Sequence, residues 1–231
     1  MNSPEIGRLT LEIVSDTICP WCYIGKRHLD EALTIIGSDV DLAVRWRPLE
    51  LNPDMPREGL ERRVYRSRKF GSWERSMQLD AEVQQAGHRV GLDFQHERMR
   101  MTPNTLASHV LIRHAEHEGL QHKVIEAVFR AYFSEGKDIG DPQVLADVAA
   151  TCGLDRANAE AALNDENGRT DVRNEARAFA SAGVRSVPTI LLNRYRILEG
   201  APSADSIVET LTRAAADPRV RSAGQSESAH V

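Results

Sequence analysis

The chain has 231 residues, a formal net charge of −5 at pH 7, 41% hydrophobic residues and 27% charged residues. This composition is typical of a globular protein, and the negative charge provides no overall attraction to nucleic acid or to an anionic membrane. Only three cysteines are present, whereas a secreted fold held by disulfides usually carries more. The N-terminus lacks the apolar segment of a signal peptide, and no apolar run approaches about 18 residues. We therefore expect a cytoplasmic protein without a nucleic-acid or membrane partner.

The first predicted elements form a βαβ unit. Alternating apolar residues at positions 9–14 predict a strand, and apolar residues at helical spacing in positions 23–36 predict a helix that ends near Gly37. The alternation returns at positions 40–46, and Pro48 ends this second strand. A connection that contains a helix allows the two strands to lie parallel.

The rest of the chain changes character twice. Positions 53–183 show only helical signals, and Asp141 followed by Pro142 is one of the helix starts. Strand signals return at positions 189–192 and 195–198, and a final helix follows. This order predicts an α/β fold: a thioredoxin-like domain formed by residues 8–52 and 184–216 and split by a helical insertion at residues 53–183. The remaining residues, 217–231, are rich in Ser, Ala, Gly and Arg and are predicted to be disordered.

The segment Cys19-Pro20-Trp21-Cys22 stands between the first strand and the first helix. Two thiols at this spacing can close a small disulfide ring, and the N-terminus of a helix favours the thiolate, which is the reactive form. We expect Cys19 to be the attacking thiol because it is nearer the helix N-terminus, and Cys22 to be the resolving thiol. Pro20 and Trp21 carry no positive charge near Cys19, so a very strong oxidant is not expected. The role of Trp21 is left open: it is either a packing residue or a residue that contacts substrate.

Other chemistry-bearing residues favour structural roles. A zinc site needs two further ligands of suitable spacing, and there is no second Cys-x-x-Cys, so no metal is expected. Cys152 lies in an apolar helical stripe and is interpreted as a buried small hydrophobe. The histidines of the insertion do not share one helix face, and the basic residues between Arg57 and Arg75 are interrupted by acids and are interpreted as a solvated helix face.

The sequence resembles the DsbA-like branch of the thioredoxin superfamily, in particular its FrnE-type cytoplasmic proteins. The active-site stretch at residues 16–25 reads Asp-Thr-Ile-Cys-Pro-Trp-Cys-Tyr-Ile-Gly, and residues 46–53 read Trp-Arg-Pro-Leu-Glu-Leu-Asn-Pro. Residues 131–136 match the family's helical insert, and residues 187–189 fall where the superfamily has its cis-proline loop. The resemblance covers the chain from about residue 9 to residue 211.

The resemblance implies a thiol–disulfide oxidoreductase or isomerase that acts on protein or small-molecule disulfides. It also implies a cis peptide bond before Pro188, which would expose the backbone of Val187 to an extended substrate beside Cys19. No resident cofactor is expected; glutathione is a candidate reductant, and a thioredoxin or glutathione system is a candidate regenerating partner. The alternative is a glutathione-dependent isomerase or transferase of the 2-hydroxychromene-2-carboxylate isomerase or kappa-class type. Those proteins typically have Ser at the first cysteine position, so the Cys19–Cys22 pair favours redox chemistry.

Overall fold

A computed structural model describes residues 8–225 of the chain, with side chains to residue 222. The strands are β1 (Leu9–Ser15), β2 (Leu42–Pro48), β3 (Leu60–Glu61), β4 (Met101–Thr102), β5 (Thr189–Leu192) and β6 (Tyr195–Glu199). The helices are α1 (Pro20–Ile36), α2 (Arg62–Phe70), α3 (Trp73–His88), α4 (Leu106–His117), α5 (Gln121–Phe133), α6 (Pro142–Thr151), α7 (Arg156–Asn164), α8 (Glu166–Ser181), α9 (Ala204–Ala216) and α10 (Pro218–Gln225).

The central sheet has four strands in the order β2-β1-β5-β6. Strand β1 pairs parallel with β2, from Leu9 opposite Leu42 to Ser15 opposite Pro48, as the βαβ prediction requires. On its other side β1 pairs antiparallel with β5, and β5 pairs antiparallel with β6. Asn193 and Arg194 form the β5–β6 turn with positive φ angles of 46° and 69°. This topology confirms the thioredoxin-like α/β fold.

Strand β1 alternates between two environments because successive side chains point to opposite faces of a sheet. Leu11 and Ile13 are fully buried in the hydrophobic core, whereas Thr10 and Glu12 lie on the opposite face and line a polar cleft. Helices α1 and α9 pack against each other, and α4, α5 and α8 contact the edge strand β2. The C-terminal end of β1 therefore lies deep in the molecule, and it leads directly into the Cys-x-x-Cys segment.

Within the helical insertion, α6 begins where the sequence predicts a helix start. Asp141 accepts a hydrogen bond from the Gln143 amide, and Pro142 occupies the first turn of α6. The structure contains two strands that the periodicity did not predict, β3 and β4, which pair as a two-stranded ribbon. Along the chain, α2 and α3 lie between these strands and form a helical hairpin. Two-residue strands carry too little alternation to be detected in the sequence.

The prediction of a disordered tail from residue 217 is wrong for the part of the tail that the structure describes. Helix α10 begins directly after Asp217, whose carboxylate accepts a hydrogen bond from the Arg219 amide at 2.9 Å. Val220 is buried, and its carbonyl oxygen accepts a hydrogen bond from the Asn193 side-chain amide at 2.8 Å. Val220 anchors this helix, and composition alone does not reveal such an anchor. Residues 226–231 lie outside the described residues.

Among residues 8–225, no helix is both long enough and apolar enough to cross a lipid bilayer.

Candidate active site

The two cysteines of the motif stand at the start of α1. Cys19 is the N-cap residue with an extended backbone, and Pro20 follows in the first turn, where its missing N–H leaves no donor unsatisfied. The Cys22 amide donates a hydrogen bond to the Cys19 carbonyl oxygen at 3.0 Å, which is the first turn of the helix. Cys19 retains 6% of its surface and Cys22 none, and both are free thiols. Cys19 is thus the thiol nearer to solvent, which fits its expected role as the attacking thiol.

A loop from the far end of the chain lies beside Cys19. The Val187–Pro188 peptide bond is cis, as expected from the resemblance. The Cys19 thiol donates a hydrogen bond to the Val187 carbonyl oxygen, with the sulfur 3.5 Å from the oxygen. The Pro188 carbonyl oxygen accepts a hydrogen bond from the Gly200 amide at 2.8 Å, which ties the loop to the end of β6. The sequence-predicted residues Cys19, Val187 and Pro188 therefore meet in one place.

Gly25 allows this close approach. A Cβ atom at this position would lie 3.1 Å from Cγ of Pro188 and 3.5 Å from Cβ of Ala201. The first of these distances is shorter than an ordinary van der Waals contact, so a side chain would separate α1 from the proline loop. Gly25 belongs to the active-site stretch that carried the resemblance, but its packing role was not visible in the sequence.

A cavity of about 310 Å³ opens between the motif and the α2–α3 hairpin. Trp21, which is 43% exposed, and Cys19 form one wall. Aromatic and aliphatic side chains make up most of the opposite walls: Leu51, Tyr65, Phe70, Leu79, Val83, Met99, Tyr132 and Phe133. A cavity of this size and polarity beside a reactive thiol can receive a bulky apolar group.

In this cavity a single carboxylate pairs with two arginines, and Lys69 and Glu82 also line it. Asp80 accepts hydrogen bonds from Arg62 at 2.8 Å and from Arg66 at 2.7 Å, and the Arg62 side chain is only 4% exposed. Burial and the neighbouring Arg62 lower the pKa of Arg66, while Asp80 opposes this shift. The interpretation of the basic segment as a solvated helix face is therefore wrong for Arg62. Its partner Asp80 is 18 residues away, which no pattern within the segment could show.

The environment of Cys22 differs from that of Cys19. Burial raises the pKa of the Cys22 thiol well above its ordinary value, and the adjacent Cys19 raises it further. The Ser15 hydroxyl and the Asp16 backbone partly oppose this effect. Cys22 therefore holds its proton in the reduced protein, as expected for the resolving thiol of a pair.

Behind the dithiol lies a buried polar cluster that sequence reasoning did not assign. The Asp16 side chain is fully buried and accepts a hydrogen bond from the Leu51 amide at 2.7 Å. His109, with a side chain only 3% exposed, lies with Nε2 3.5 Å from Oδ1 of Asp16. Glu50 lies near both, and burial raises the pKa of its carboxyl while His109 opposes the shift. The only sequence signal was the position of Asp16 in the active-site stretch.

The other cysteine and the histidine His122 make contacts that indicate structural roles. Cys152 is buried at the C-terminus of α6, and its thiol donates to the Lys123 carbonyl oxygen at 3.7 Å. His122 contacts Asp30 at 2.7 Å and accepts a hydrogen bond from the Trp46 indole at 3.3 Å. Within residues 8–222, no three or more His, Cys, Asp or Glu side chains are grouped to hold a metal ion.

The fold and the dithiol beside a cis-proline loop define a thioredoxin-like protein of the thiol–disulfide oxidoreductase type. The chain belongs to the family described as DSBA-like thioredoxin domain, which it matches over residues 10–212. Members of this family are thiol–disulfide oxidoreductases.

The chain is similar to three further proteins. It is 29% identical over 197 residues to the uncharacterised protein YwbO of Bacillus subtilis, covering 84% of this chain and 92% of YwbO. The probable DsbA oxidoreductase SCO1869 of Streptomyces coelicolor is 28% identical, with a TM-score of 0.80 and coverage of 89% of both chains. The cytosolic disulfide reductase DsbM of Pseudomonas aeruginosa, solved with GSH, shares the fold at 21% identity, with a TM-score of 0.60 and coverage of 94% of this chain and 98% of DsbM.

Proposed function

We propose that this protein reduces, forms or rearranges disulfides of other molecules, with Cys19 as the nucleophile and Cys22 as the resolving thiol. The contact between the Cys19 sulfur and the Val187 carbonyl oxygen carries the proposal. This contact supports the proposal because it brings the thiol nearer to solvent beside the backbone of Val187, with which an extended substrate would pair. The family membership supports the same reaction type.

In the reductive direction, the Cys19 thiolate attacks one sulfur of the substrate disulfide. The substrate S–S bond breaks, one substrate thiolate leaves, and a mixed disulfide joins Cys19 to the other sulfur. Cys22 then attacks Sγ of Cys19, which releases the second substrate thiol and leaves a Cys19–Cys22 disulfide. Two protein thiols are oxidised and one substrate disulfide is reduced. Attack on the mixed disulfide by another substrate thiol would instead give isomerisation.

We further propose that the cavity beside Trp21 receives the group that flanks the substrate disulfide. Its walls are mostly apolar, and its buried arginines already pair with Asp80, so a bulky apolar group fits the cavity. This favours protein or peptide disulfides with an aromatic or aliphatic neighbour as substrates. We propose the cytoplasm as the compartment and a glutathione or thioredoxin system as the source of electrons. The fold shared with a cytosolic reductase supports this proposal.

The redox equilibrium of the dithiol tests the proposed function. The protein is equilibrated in glutathione buffers, the Cys19–Cys22 disulfide is followed by tryptophan fluorescence, and alkylation with mass measurement checks its identity. A midpoint near about −250 mV or lower indicates a reductase, and one between roughly −120 and −200 mV indicates an oxidant or isomerase. The Cys152→Ser variant, which keeps the motif, should give the same midpoint.

Absence of a Cys19–Cys22 disulfide in any of these buffers would overturn the proposal. The favoured function would then be that of a glutathione-dependent isomerase or transferase.

A further inference from the structure

Cys22 must lose a proton before it can resolve a mixed disulfide, yet it has no exposed surface. Only the thiolate attacks a disulfide, and burial keeps this thiol protonated. The proton therefore needs an acceptor inside the protein or a path to water. The side of the dithiol that faces the substrate is closed during this step, because the substrate is attached to Cys19.

Ser15 provides the first polar group next to Cys22 on the opposite side. Its hydroxyl lowers the pKa of the Cys22 thiol, and its oxygen is buried with no hydrogen-bond partner. Ser15 is the last residue of β1 and is 1% exposed. A buried hydroxyl without a partner is uncommon in proteins and calls for an explanation.

A small cavity lies between Ser15 and His109. Its volume is about 10 Å³, and Arg113 and Glu175 also line it. This volume is at the lower limit for one water molecule, which needs about 10–15 Å³ and several polar partners. The cavity therefore links the group next to Cys22 with an imidazole.

The His109 imidazole is placed to take up a proton. Its Nε2 atom is buried and makes no hydrogen bond, although Oδ1 of Asp16 lies 3.5 Å away. This separation is long for a hydrogen bond and suits a charged pair. Protonation of His109 would convert two neighbouring buried groups into an ion pair, which compensates the cost of burying the new charge.

The path continues to solvent on the far side of the sheet. A cleft of about 1050 Å³, here termed the rear cleft, lies over Thr10 and Glu12 of β1 and is bordered by α4 and α8. Arg47, Arg113, Glu116 and Glu175 line both the small cavity and the rear cleft. The two spaces thus share a wall of charged side chains, and the rear cleft opens away from the site where substrate binds.

We propose that Ser15 and the His109–Asp16 pair form a proton relay that takes the proton of Cys22 toward the rear cleft during the resolving step. This inference rests on the proposed function. Ser15 accepts the proton from Sγ of Cys22 and passes its own hydroxyl proton across the small cavity to Nε2 of His109. The Cys22 thiolate then forms the bond to Sγ of Cys19, and the bond from Cys19 to the substrate breaks. The substrate leaves as a thiolate, and His109 later releases its proton to water.

Charged groups from several elements face the relay. Asp16 comes from the loop before α1 and Glu50 from the segment after β2; Arg47 comes from β2, Arg113 and Glu116 from α4, and Arg173, Glu175 and Arg177 from α8. Burial raises the pKa of Glu175, and Arg47 and Arg113 oppose this shift.

The test follows the lifetime of the mixed disulfide with oxidised glutathione as the probe. Reduced protein is mixed with the probe, quenched with acid at set times between pH 6 and pH 9, and weighed by mass spectrometry. The first rate reports attack by Cys19, and the second reports resolution by Cys22. His109→Gln and Ser15→Ala interrupt the relay with little change of shape, and His114→Gln on the same helix is the matched control.

We expect His109→Gln and Ser15→Ala to leave the first rate unchanged and to slow resolution by roughly 10- to 100-fold near neutral pH. Without an internal acceptor, only the small thiolate fraction of Cys22 reacts. Resolution in these variants should therefore accelerate about tenfold per pH unit, more steeply than in the wild type. A purely structural role for His109 would not change this slope.

Resolution rates and slopes equal to those of the wild type in both variants would overturn the relay. So would a loss confined to the first rate. If the wild-type protein forms no mixed disulfide with any disulfide probe, the proposed function itself fails. If His109→Gln does not fold, as judged by circular dichroism, Ser15→Ala decides, because it removes one hydroxyl and leaves the His109–Asp16 pair in place.

Discussion

The Cys19 sulfur lies 3.5 Å from the carbonyl oxygen of Val187, although 168 positions separate the two residues in the chain. The helix start that holds Cys19 comes from the first βαβ unit, and the loop that holds Val187 comes from the strand pair after the insertion. Pairing of β1 with β5 brings them together, with Val14 opposite Thr189. The active site therefore depends on the closure of the split domain around the inserted helices.

The Cys22→Ser variant should accumulate the mixed disulfide. Cys19 can still attack a disulfide, but no second thiol is present to release the product. With a small aromatic disulfide as the probe, mass spectrometry should show one adduct per chain on Cys19. The Cys19→Ser variant should show none at the motif, because Cys22 is fully buried. An adduct found on Cys152 instead would contradict the assignment of the nucleophile.

The Gly25→Ala variant should weaken the contact between α1 and the proline loop. Alanine is a better helix former than glycine by about 1 kcal/mol, but here its Cβ would lie 3.1 Å from Pro188. We expect a net loss of about 1–3 kcal/mol in the free energy of unfolding, typical of overpacking, and slower attack by Cys19. Denaturant unfolding and adduct formation measure the two effects.

Gly168→Ala is the matched control for this substitution, since it adds the same methyl group to another helix. The nearest atom there is a carboxylate oxygen of Asp165, 3.0 Å away, which caps the start of α8 and belongs to neither the dithiol nor the proline loop. This variant should retain the wild-type rate of attack. Equal changes of the unfolding free energy and of the attack rate in the two variants would show that the contact with Pro188 does not cause the effect of Gly25→Ala.

Asp30 should stabilise the protein at neutral pH and lose this effect in acid. Burial alone would raise the pKa of its carboxyl, but contacts with His122 at 2.7 Å and Lys26 at 2.7 Å outweigh burial and lower the pKa below 3.8. A carboxyl whose pKa is lower in the folded state stabilises that state above its unfolded pKa. The contribution disappears as pH falls through the folded pKa.

Urea unfolding of the wild type and of Asp30→Asn between pH 6 and pH 2.5 measures this effect. The wild type should be the more stable at pH 6, and the difference should shrink below about pH 4. Asp39→Asn is the control, because Asp39 is exposed near the end of the same helix. A difference for Asp30→Asn that stays constant over this range would contradict the ion-pair explanation.

The Asp80→Asn variant should be strongly destabilised. Asp80 forms ion pairs with Arg62 at 2.8 Å and with Arg66 at 2.7 Å, and the Arg62 side chain is almost fully buried. Removal of one partner from a buried ion pair leaves an uncompensated charge and costs about 3–5 kcal/mol. Glu74→Gln, an exposed substitution on the same helix, should change the free energy of unfolding by less than about 0.5 kcal/mol. Thermal or denaturant unfolding checks both values.

The Leu79→Trp variant should change substrate preference more than intrinsic thiol reactivity. Leu79 lines the 310 Å³ cavity, and an indole there would fill much of the space. We expect slower reduction of a peptide disulfide flanked by phenylalanine, with an unchanged rate toward a small disulfide. Met77→Trp adds the same ring to the exposed side of α3 and should change neither rate. Equal slowing with both substrates would indicate that the cavity does not contact the flanking group.

Much of the fold could be predicted from local pattern. The period-two alternation of β1, the helical spacing of apolar residues in α1 and the Asp141–Pro142 start of α6 each depend on a few neighbouring residues. The structure confirmed them because local propensity and tertiary packing agree at these positions. The ribbon of β3 and β4 and the helix α10 were missed because a few distant contacts, rather than a repeating pattern, stabilise them.

The sequence alone determined the identity of the dithiol, since a Cys-x-x-Cys segment between a strand and a helix needs only local chemistry to be recognised. It also predicted that Pro188 belongs to the site, through resemblance and not through any physical pattern. The tertiary structure decided which other groups surround the thiols. Ser15, Asp16 and His109 meet behind Cys22 because α4 packs against β2, the strand paired with β1. Such side-chain contacts depend on the packing of whole elements rather than on spacing along the chain.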